Sequence, residues 1–274
     1  MSIKKLAAAL AASVISVTAV TVTAFAAGTK VPITEKYFPD ENFREYVSQF
    51  DTDGNGWLSQ KERDAVTVID VYMMDIKSVK GVGYFQHLKI FVCDNNKLTK
   101  LDVRKNKRLE ELSCCSTYLK KLDVSNNAKL KYLYCDRTDL TELDVSKNTG
   151  LEFIQCEDGK LTKIELGEIA ELKVLYCSYN KIEKLDISKN TKLEYLDCEY
   201  NELESLDVSK NVQLQYLYCS SNKLTSLDIS KNTELEDLSC LNNALTELDV
   251  SNNTKLFYND IEYYSCDENV KIIK

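Results

Sequence analysis

The sequence predicts an α/β solenoid of 21-residue turns, with a face of parallel strands and a helical cap at its N-terminal end. Two features predict this fold: the repeat L-x-x-L-x-C-x-x-N-x-L-x-x-L-D-V-S-x-N, and a twelve-residue acidic loop between two helical segments that precede it. A fixed period of about 20 residues is typical of stacked turns that bury their apolar faces only against their neighbours. The template starts at Leu88, Leu109, Leu130, Leu151, Leu172, Leu193, Leu214 and Leu235.

The 274 residues divide into four predicted parts. A signal peptide covers residues 1–26, and the cap follows at residues 27–65. Residues 66–255 form one degenerate 22-residue turn and eight regular 21-residue turns. Residues 256–274 close the stack with polar departures from the template, because a last turn with one neighbour needs a more polar outer surface.

Residues 1–26 have the marks of a secretory signal peptide. Lys4 and Lys5 precede an apolar run that ends in the small-x-small sequence Ala24-Phe25-Ala26. An uncleaved membrane anchor is the alternative, because the run from Leu6 to Ala27 is long enough to span a bilayer. No second apolar span follows. We therefore expect cleavage after Ala26 and a mature chain, without a membrane span, that is secreted or located at the cell surface.

The acidic loop reads DTDGNGWLSQKE and fits the twelve-residue calcium loop of the EF-hand. Calcium prefers six to eight hard oxygen ligands, so the sequence predicts one structural calcium site. A calcium-free acidic turn between two helices is the alternative. The expected ligands are Asp51, Asp53, Asn55, the carbonyl of Trp57, Ser59 directly or through water, and both carboxylate oxygens of Glu62.

Helices are expected on both sides of this loop. Asp40 can cap the first helix, which presents an apolar face from Phe43 to Phe50. Ser59 and Glu62 form a capping box for the second helix. Sensor EF-hands work in pairs, whereas this sequence has one such loop, so we expect the ion to tie two helices over the open end of the stack.

The positions of the template have separate expected roles. Apolar residues at positions 4 and 6 share the inner face of a short strand, and strands of successive turns pair at about 4.8 Å. Asn at position 9 is expected to form a buried ladder that satisfies turning backbone, with breaks at Thr117, Thr138 and Gly159. The Asp column at position 15 should face water, lysines or local backbone N–H groups, because like charges repel. A calcium ladder along this column is the alternative.

Eight of the ten cysteines recur at position 6, from Cys93 to Cys240. Their Cα atoms are expected about 4.8 Å apart, but their parallel Cβ vectors leave the Cβ atoms wider than the ~3.8 Å of a disulfide. We therefore expect a reduced, buried column of small apolar residues. A metal–thiolate ladder is the alternative, although it lacks the C-x-x-C spacing that brings four sulfurs to one ion. Cys115 points outward, and Cys266 falls at position 11 of the closing turn.

Strand positions 3, 5 and 7 point away from the core and are rich in tyrosine and acids from the third turn to the seventh. Exposed tyrosines beside carboxylates favour a surface that binds a protein or peptide, and stacking on sugar rings makes a glycan an alternative. Cross-strand stacking that stabilises the sheet without any ligand is a second alternative. The predicted partner-binding residues are Tyr132, Tyr134, Phe153, Tyr176, Tyr195, Asp197, Glu199, Tyr216 and Tyr218.

Composition argues against two other classes of function. The formal charge is −8, and removal of Lys4 and Lys5 with the signal peptide makes it −10, whereas affinity for nucleic acid needs clustered lysine and arginine. His87 is the only histidine, and no G-x-S-x-G, H-E-x-x-H or phosphate loop occurs. Acid pairs on one strand face are common on surfaces and do not by themselves favour glycosidase chemistry. We expect a monomeric, non-catalytic protein.

The repeats resemble those of leucine-rich repeat proteins from Val66 to about Cys266. Together with the predicted signal peptide, the segment FPDENFREYV and the calcium loop, they resemble secreted or surface proteins of Gram-positive bacteria and are similar in layout to internalins. This resemblance implies a curved or arched solenoid that binds other macromolecules. A purely structural module at the cell surface is a further alternative for the chain. The regular turns follow a 21-residue period rather than the 22-residue period usual in internalins, and no cell-wall anchor is visible. Receptor binding of the internalin type is therefore not carried over.

Overall fold

The computed structural model describes residues 30–258, 261–262 and 264–274, so the predicted signal peptide and Asn259 lie outside the described residues. The segment before the repeats contains β1 (Val31–Pro32), α1 (Glu41–Ser48), β2 (Trp57–Leu58) and α2 (Gln60–Ala65), with β1 antiparallel to β2. Asp40 caps α1 through the N–H of Phe43, and Ser59 and Glu62 form the capping box of α2.

Short strands recur through the rest of the chain. The first nine are β3 (Val68–Asp70), β4 (Ile90–Val92), β5 (Glu111–Ser113), β6 (Tyr132–Tyr134), β7 (Glu142–Asp144), β8 (Phe153–Gln155), β9 (Lys163–Glu165), β10 (Val174–Tyr176) and β11 (Tyr195–Asp197). They are followed by β12 (Tyr216–Tyr218), β13 (Asp237–Ser239), β14 (Glu247–Asp249), β15 (Phe257–Tyr258), β16 (Ile261–Glu262), β17 (Tyr264–Ser265) and β18 (Lys271–Ile273).

Ten of these strands form one parallel sheet in the order β3-β4-β5-β6-β8-β10-β11-β12-β13-β17. Between regular turns, paired residues lie 21 positions apart, as Leu175, Leu196 and Leu217 do in β10, β11 and β12. Smaller parallel pairs, β7 with β9 and β14 with β18, lie in the second halves of their turns, and β15 pairs antiparallel with β16. The predicted solenoid with a parallel strand face is therefore confirmed.

The core is a stack of columns contributed by equivalent template positions. Leu217 at position 4 and Cys219 at position 6 are both completely buried, as the two-residue alternation of a strand requires. The position-6 cysteines are present as free thiols, and the Cys93 thiol donates to the carbonyl of Ser113 at 3.3 Å. Burial raises the pKa of the Cys219 thiol well above its ordinary value, so these sulfurs act as small apolar groups.

The asparagines at position 9 form the predicted ladder. Asn201 donates from Nδ2 to the carbonyl of Cys177 at 2.9 Å, and its Oδ1 accepts from the N–H of Ile182 at 2.9 Å. At the predicted breaks, Thr117 and Thr138 each donate a hydroxyl hydrogen bond to a carbonyl three residues earlier, at 2.7 and 3.0 Å. Threonine thus replaces one of the hydrogen bonds of asparagine, and the turns keep the same sheet register.

A second column of asparagines occupies position 19 of the template. Asn211 donates from Nδ2 to the carbonyls of Ile187 at 3.1 Å and Asn190 at 2.8 Å, so each turn is fastened to the preceding one. Ile169 interrupts this column. The seven members described as fully buried are Asn106, Asn127, Asn148, Asn190, Asn211, Asn232 and Asn253.

The aspartates at position 15 are local turn formers. Asp207 and Asp228 each accept from the backbone N–H two residues later, both at 2.9 Å. The hydrogen bonds to Ser209 lower the pKa of Asp207. This pattern confirms the predicted contact with local backbone N–H groups.

The last turn departs from the predicted register. Tyr264 pairs with Leu238, a longer step along the chain than between regular turns, because the β15–β16 hairpin is inserted before β17. Cys266 consequently follows β17 at position 6, as Cys240 follows β13, and the N–H of Cys240 donates to the carbonyl of Ser265 at 2.9 Å. The assignment of Cys266 to position 11 was wrong, because an insertion shifts the register without altering the apolar pattern before it.

The segment before the repeats covers the first edge of the sheet. The Tyr46 hydroxyl accepts from the N–H of Asp70 on the edge strand β3 at 3.0 Å, and Asn42 donates to the carbonyl of Met74 at 2.8 Å. Phe38 and Phe43 are completely buried beside the first turn. Covering an edge in this way blocks pairing with another chain.

Candidate functional site

The loop between α1 and α2 brings three carboxylates together. Oxygen atoms of Asp51, Asp53 and Glu62 lie within 4.8 Å of one another. Within the described part of the chain, no other group of three or more His, Cys, Asp or Glu side chains meets that criterion, and the position-15 and position-6 columns do not qualify. These hard oxygen donors fit a cation such as calcium.

Backbone geometry in the loop follows from its two glycines. Gly54 and Gly56 have φ angles of +66° and +81°, which side chains with a Cβ rarely adopt. The resulting turn directs two N–H groups at Asp51: Asn55 donates to Oδ1 at 3.1 Å, and Gly56 donates to Oδ2 at 2.7 Å. The carboxylate of Asp51 is therefore oriented by the loop itself.

Glu62 is held by protein donors on both oxygens. Thr52 donates its N–H and hydroxyl to Oε1 at 2.8 and 2.9 Å, and Ser59 donates the same two groups to Oε2 at 2.8 and 2.7 Å. Burial raises the pKa of Glu62, but these hydrogen bonds outweigh that effect and bring the pKa to about 2. Glu62 thus closes the loop as a carboxylate and also forms part of the capping box of α2.

The remaining predicted ligands lie in the same loop. Asn55 accepts from the N–H of Trp57 at 2.9 Å, and the Trp57 side chain is 44% exposed. Ser59 Oγ contacts Glu62, as described above. The set predicted from spacing is therefore contiguous in space, and calcium binding stays a prediction.

The second candidate site is a ladder of aromatic rings on the strand face. Tyr176 and Tyr195 have ring centroids 4.7 Å apart, and Tyr195 contacts Tyr216 at 5.6 Å and Tyr218 at 5.5 Å. All these rings are partly buried. We define the ring ladder as Tyr134, Phe153, Tyr176, Tyr195, Tyr216 and Tyr218, which the contacts join into one series.

Of the other predicted partner-binding residues, Tyr132 begins β6 in register with Phe153, and Glu199 directly follows Cys198 beyond the end of β11. Both are partly buried. The structure therefore brings the predicted residues onto one face. The contacts among the rings are compatible both with stacking that stabilises the sheet and with recognition of a partner.

Carboxylates among the rings are incompletely compensated. Burial raises the pKa of Asp197 to about 7, opposed by the N–H of Glu199, which donates to it at 3.1 Å. Asp136 accepts from Gln155 at 2.5 Å and from the N–H of Glu157 at 2.7 Å, yet burial raises its pKa to about 6. The face thus holds acids whose charge would be stabilised by a cation.

Two tyrosines outside the predicted set extend this surface. Tyr179 and Tyr200 occupy position 8, directly after the strand face, and are 51% and 45% exposed. Their rings stack with centroids 4.2 Å apart and planes 10° from parallel. Their sequence signal is tyrosine in successive turns at a position that otherwise holds small or charged residues. We call this pair the tyrosine stack.

No helix among the described residues has the length and apolar character needed to cross a membrane. Residues 170–211 match the family described as leucine-rich repeats, in two copies. Comparison with curated proteins gives no significant match.

Solved structures supply further similarity. The functional domain of InlJ from Listeria monocytogenes, described as including a cysteine ladder, is 29% identical with a TM-score of 0.53. The alignment covers 91% of this chain and 64% of that one, so this chain spans less than two thirds of that structure. Internalin C2 from Listeria monocytogenes is 19% identical with a TM-score of 0.63, over 90% of this chain and 100% of that one, which supports the fold alone. The chain thus contains leucine-rich repeats, and its fold is similar to the solved structures of these internalins.

Proposed function

We propose that this chain is a non-catalytic extracellular scaffold that binds a protein or peptide through its strand face and holds one structural calcium ion in the loop from Asp51 to Glu62. The ring ladder is the observation that carries the proposal. Six partly buried rings interleaved with carboxylates provide a large contact area of side chains with few rotatable bonds. The extracellular setting is supported by the sequence of residues 1–26.

Selection of a displayed library of random twelve-residue peptides on the mature chain tests the binding function. We expect enriched peptides to lose at least about tenfold in affinity on Tyr195→Thr/Tyr218→Thr, since about 1.4 kcal/mol of lost contact corresponds to one factor of ten. Threonine suits strands, and Tyr218→Thr alone is a milder second variant. Affinities are measured by calorimetry, with folding checked by circular dichroism.

Tyr118→Ser is the matched control for the peptide experiment, because Tyr118 is 57% exposed and lies at position 10, off the strand face. Its variant should bind the enriched peptides as the wild type does. If selection yields no peptide whose affinity depends on Tyr195 or Tyr218, the proposed function of the strand face is wrong.

Calcium binding is expected to stabilise the folded chain and to change the fluorescence of Trp57, the only tryptophan. A structural extracellular site has a Kd on the order of 10⁻⁴ to 10⁻³ M. At about 10 mM calcium, the free energy of unfolding should therefore rise by about 1.4 to 2.7 kcal/mol over a chelator-treated sample. Fluorescence titration and thermal unfolding measure the two effects.

Asp53→Ala is the variant of choice for the calcium test. Replacing Glu62 would also break the capping box, whereas Asp53 is exposed and accepts one hydrogen bond, from the N–H of Asn55 at 3.3 Å. Asp53→Ala removes this oxygen ligand and should abolish both calcium effects, and Glu45→Ala, at an exposed acid on α1, should leave them unchanged. Identical unfolding of the wild type with calcium and with chelator would exclude the structural calcium site.

A further inference from the structure

The tyrosine stack lies where the backbone does not favour tyrosine. Tyr179 and Tyr200 have φ angles of +54° and +51°, in the left-handed region that bulky residues rarely adopt. Asn95, Asp158 and Asn242 occupy the same position in other turns, and these residue types tolerate that conformation. Backbone preference therefore does not explain the two rings, and their exposure leaves much of their surface in contact with water.

One end of the tyrosine stack is open. The equivalent residue one turn beyond Tyr200 is Ser221, a small side chain whose hydroxyl accepts from Asn242 at 3.4 Å. Turns succeed one another at about 4.8 Å, so a planar group placed over Ser221 can stack on the free face of Tyr200 and continue the pair.

The same column already contains an arginine. Two turns before Tyr179, the guanidinium of Arg137 donates to the carboxylate of Asp158 at 3.2 Å from both Nε and Nη2. Both residues are at position 8, so this surface accommodates a guanidinium beside a carboxylate. At the other end the next position-8 residue is Ser221, and the carboxylate nearest to Tyr200 along the chain is that of Glu199, at position 7.

The acidic residues of the strand face favour a positively charged planar group at this place. Positions 3, 5 and 7 of the eight regular turns hold seven acids and no lysine, arginine or histidine. The acids are Asp94, Glu111, Asp136, Glu157, Asp197, Glu199 and Asp237. A field of one sign steers a partner of the opposite sign, and a cation over a tyrosine ring gains about 0.5 to 2 kcal/mol. Guanidinium is the protein group that is both planar and always charged.

We propose that the tyrosine stack and the acids of the strand face bind an arginine-bearing cationic peptide segment, with one guanidinium stacked on Tyr200 above Ser221 and paired with Glu199. This inference rests on the proposed function of the strand face and specifies its partner. The peptide segment lies along the ring ladder. The contact of its arginine with Tyr200 determines where the segment sits along the strand face.

Defined peptides test the proposal at physiological ionic strength. The probe is a twelve-residue peptide of alternating arginine and glycine, compared with peptides in which citrulline or lysine replaces arginine. Citrulline keeps the planar shape and removes the charge, whereas lysine keeps the charge and removes the plane. We expect affinity to fall at least tenfold with citrulline and at least threefold with lysine, as measured by calorimetry.

Tyr200→Asn is the informative variant, because asparagine suits the left-handed backbone and preserves the fold. It should weaken binding of the arginine peptide at least fivefold and remove the preference for arginine over lysine. Glu199→Gln should weaken binding with the tyrosine stack intact. Tyr118→Ser is again the control and should bind as the wild type does.

Different results separate this inference from the proposed function. Equal affinity for the arginine and citrulline peptides, or unchanged binding by Tyr200→Asn, would overturn the inference. Enriched peptides or neutral oligosaccharides that need Tyr195 and Tyr218 but lack positive charge would overturn it as well. If the uncharged ligands are peptides, the proposed function would still hold. The absence of any ligand that depends on the strand face would contradict both the inference and the proposed function.

Discussion

Replacing Asn201 by alanine is expected to lower the free energy of unfolding by about 3 kcal/mol. The side chain donates to the carbonyls of Cys177, Cys198 and Glu199 at 2.9, 3.2 and 3.1 Å and accepts from the N–H of Ile182. Alanine leaves that buried N–H without its acceptor, which costs about 1 to 3 kcal/mol, and removes the two amide hydrogens that the three carbonyls share. Chemical denaturation measures the change.

Two further variants define the cause of this loss. Asn201→Thr should recover part of the stability, because Thr117 and Thr138 make one carbonyl hydrogen bond at the same template position. Asn252→Ala, at an exposed position, should change stability by less than about 0.5 kcal/mol. A loss at Asn201 no larger than that at Asn252 would contradict the structural role of the ladder.

Asp197→Asn is expected to stabilise the fold at pH 8 by about 2 kcal/mol and to have little effect at pH 4. Burial raises the pKa of Asp197 to about 7, and the charges of Glu199 and Glu157 act in the same direction. Tyr176 and Tyr218 flank it on the neighbouring strands. One pKa unit corresponds to about 1.4 kcal/mol in the free energy of unfolding. The partial exposure of Asp197 reduces the effect expected from the full pKa shift.

The direction of this pH dependence follows from the number of protons bound in the folded and unfolded states. An aspartate in the unfolded chain has a pKa near 4, so between about pH 4 and pH 7 the folded wild type binds more protons than the unfolded chain. Its free energy of unfolding therefore falls as the pH rises through this window, and the Asn variant lacks that fall. Denaturation at several pH values measures the difference between the two proteins.

Asp207→Asn is the matched control, because Asp207 lies in the same turn but its pKa is lowered by Ser209. Its variant should show no gain at pH 8, since the ionised form of Asp207 is the one that the fold favours. Equal pH profiles for the wild type and Asp197→Asn would show that Asp197 is not held in an unfavourable environment. A gain by the Asn variant would show that the fold disfavours the ionised form of Asp197.

The repeat and the strand register were predictable because each turn contacts neighbours of nearly identical sequence. A column such as Cys93 to Cys240 follows once one turn is understood, and the ladder at Asn180, Asn201 and Asn222 follows in the same way. The place of Cys266 was not predictable, because the inserted β15–β16 hairpin has no counterpart in other turns. Non-repeating segments give no such internal comparison.

The sequence alone determined the 21-residue solenoid, the outward strand positions and the set of oxygen donors from Asp51 to Glu62. These depend on spacing along the chain, because the two-residue period of a strand and the fixed geometry of a short loop determine where each side chain points. Tertiary structure alone decided that Tyr179 and Tyr200 stack and that burial raises the pKa of Asp197. Both depend on distances between residues of different turns and on exclusion of water, which spacing does not specify.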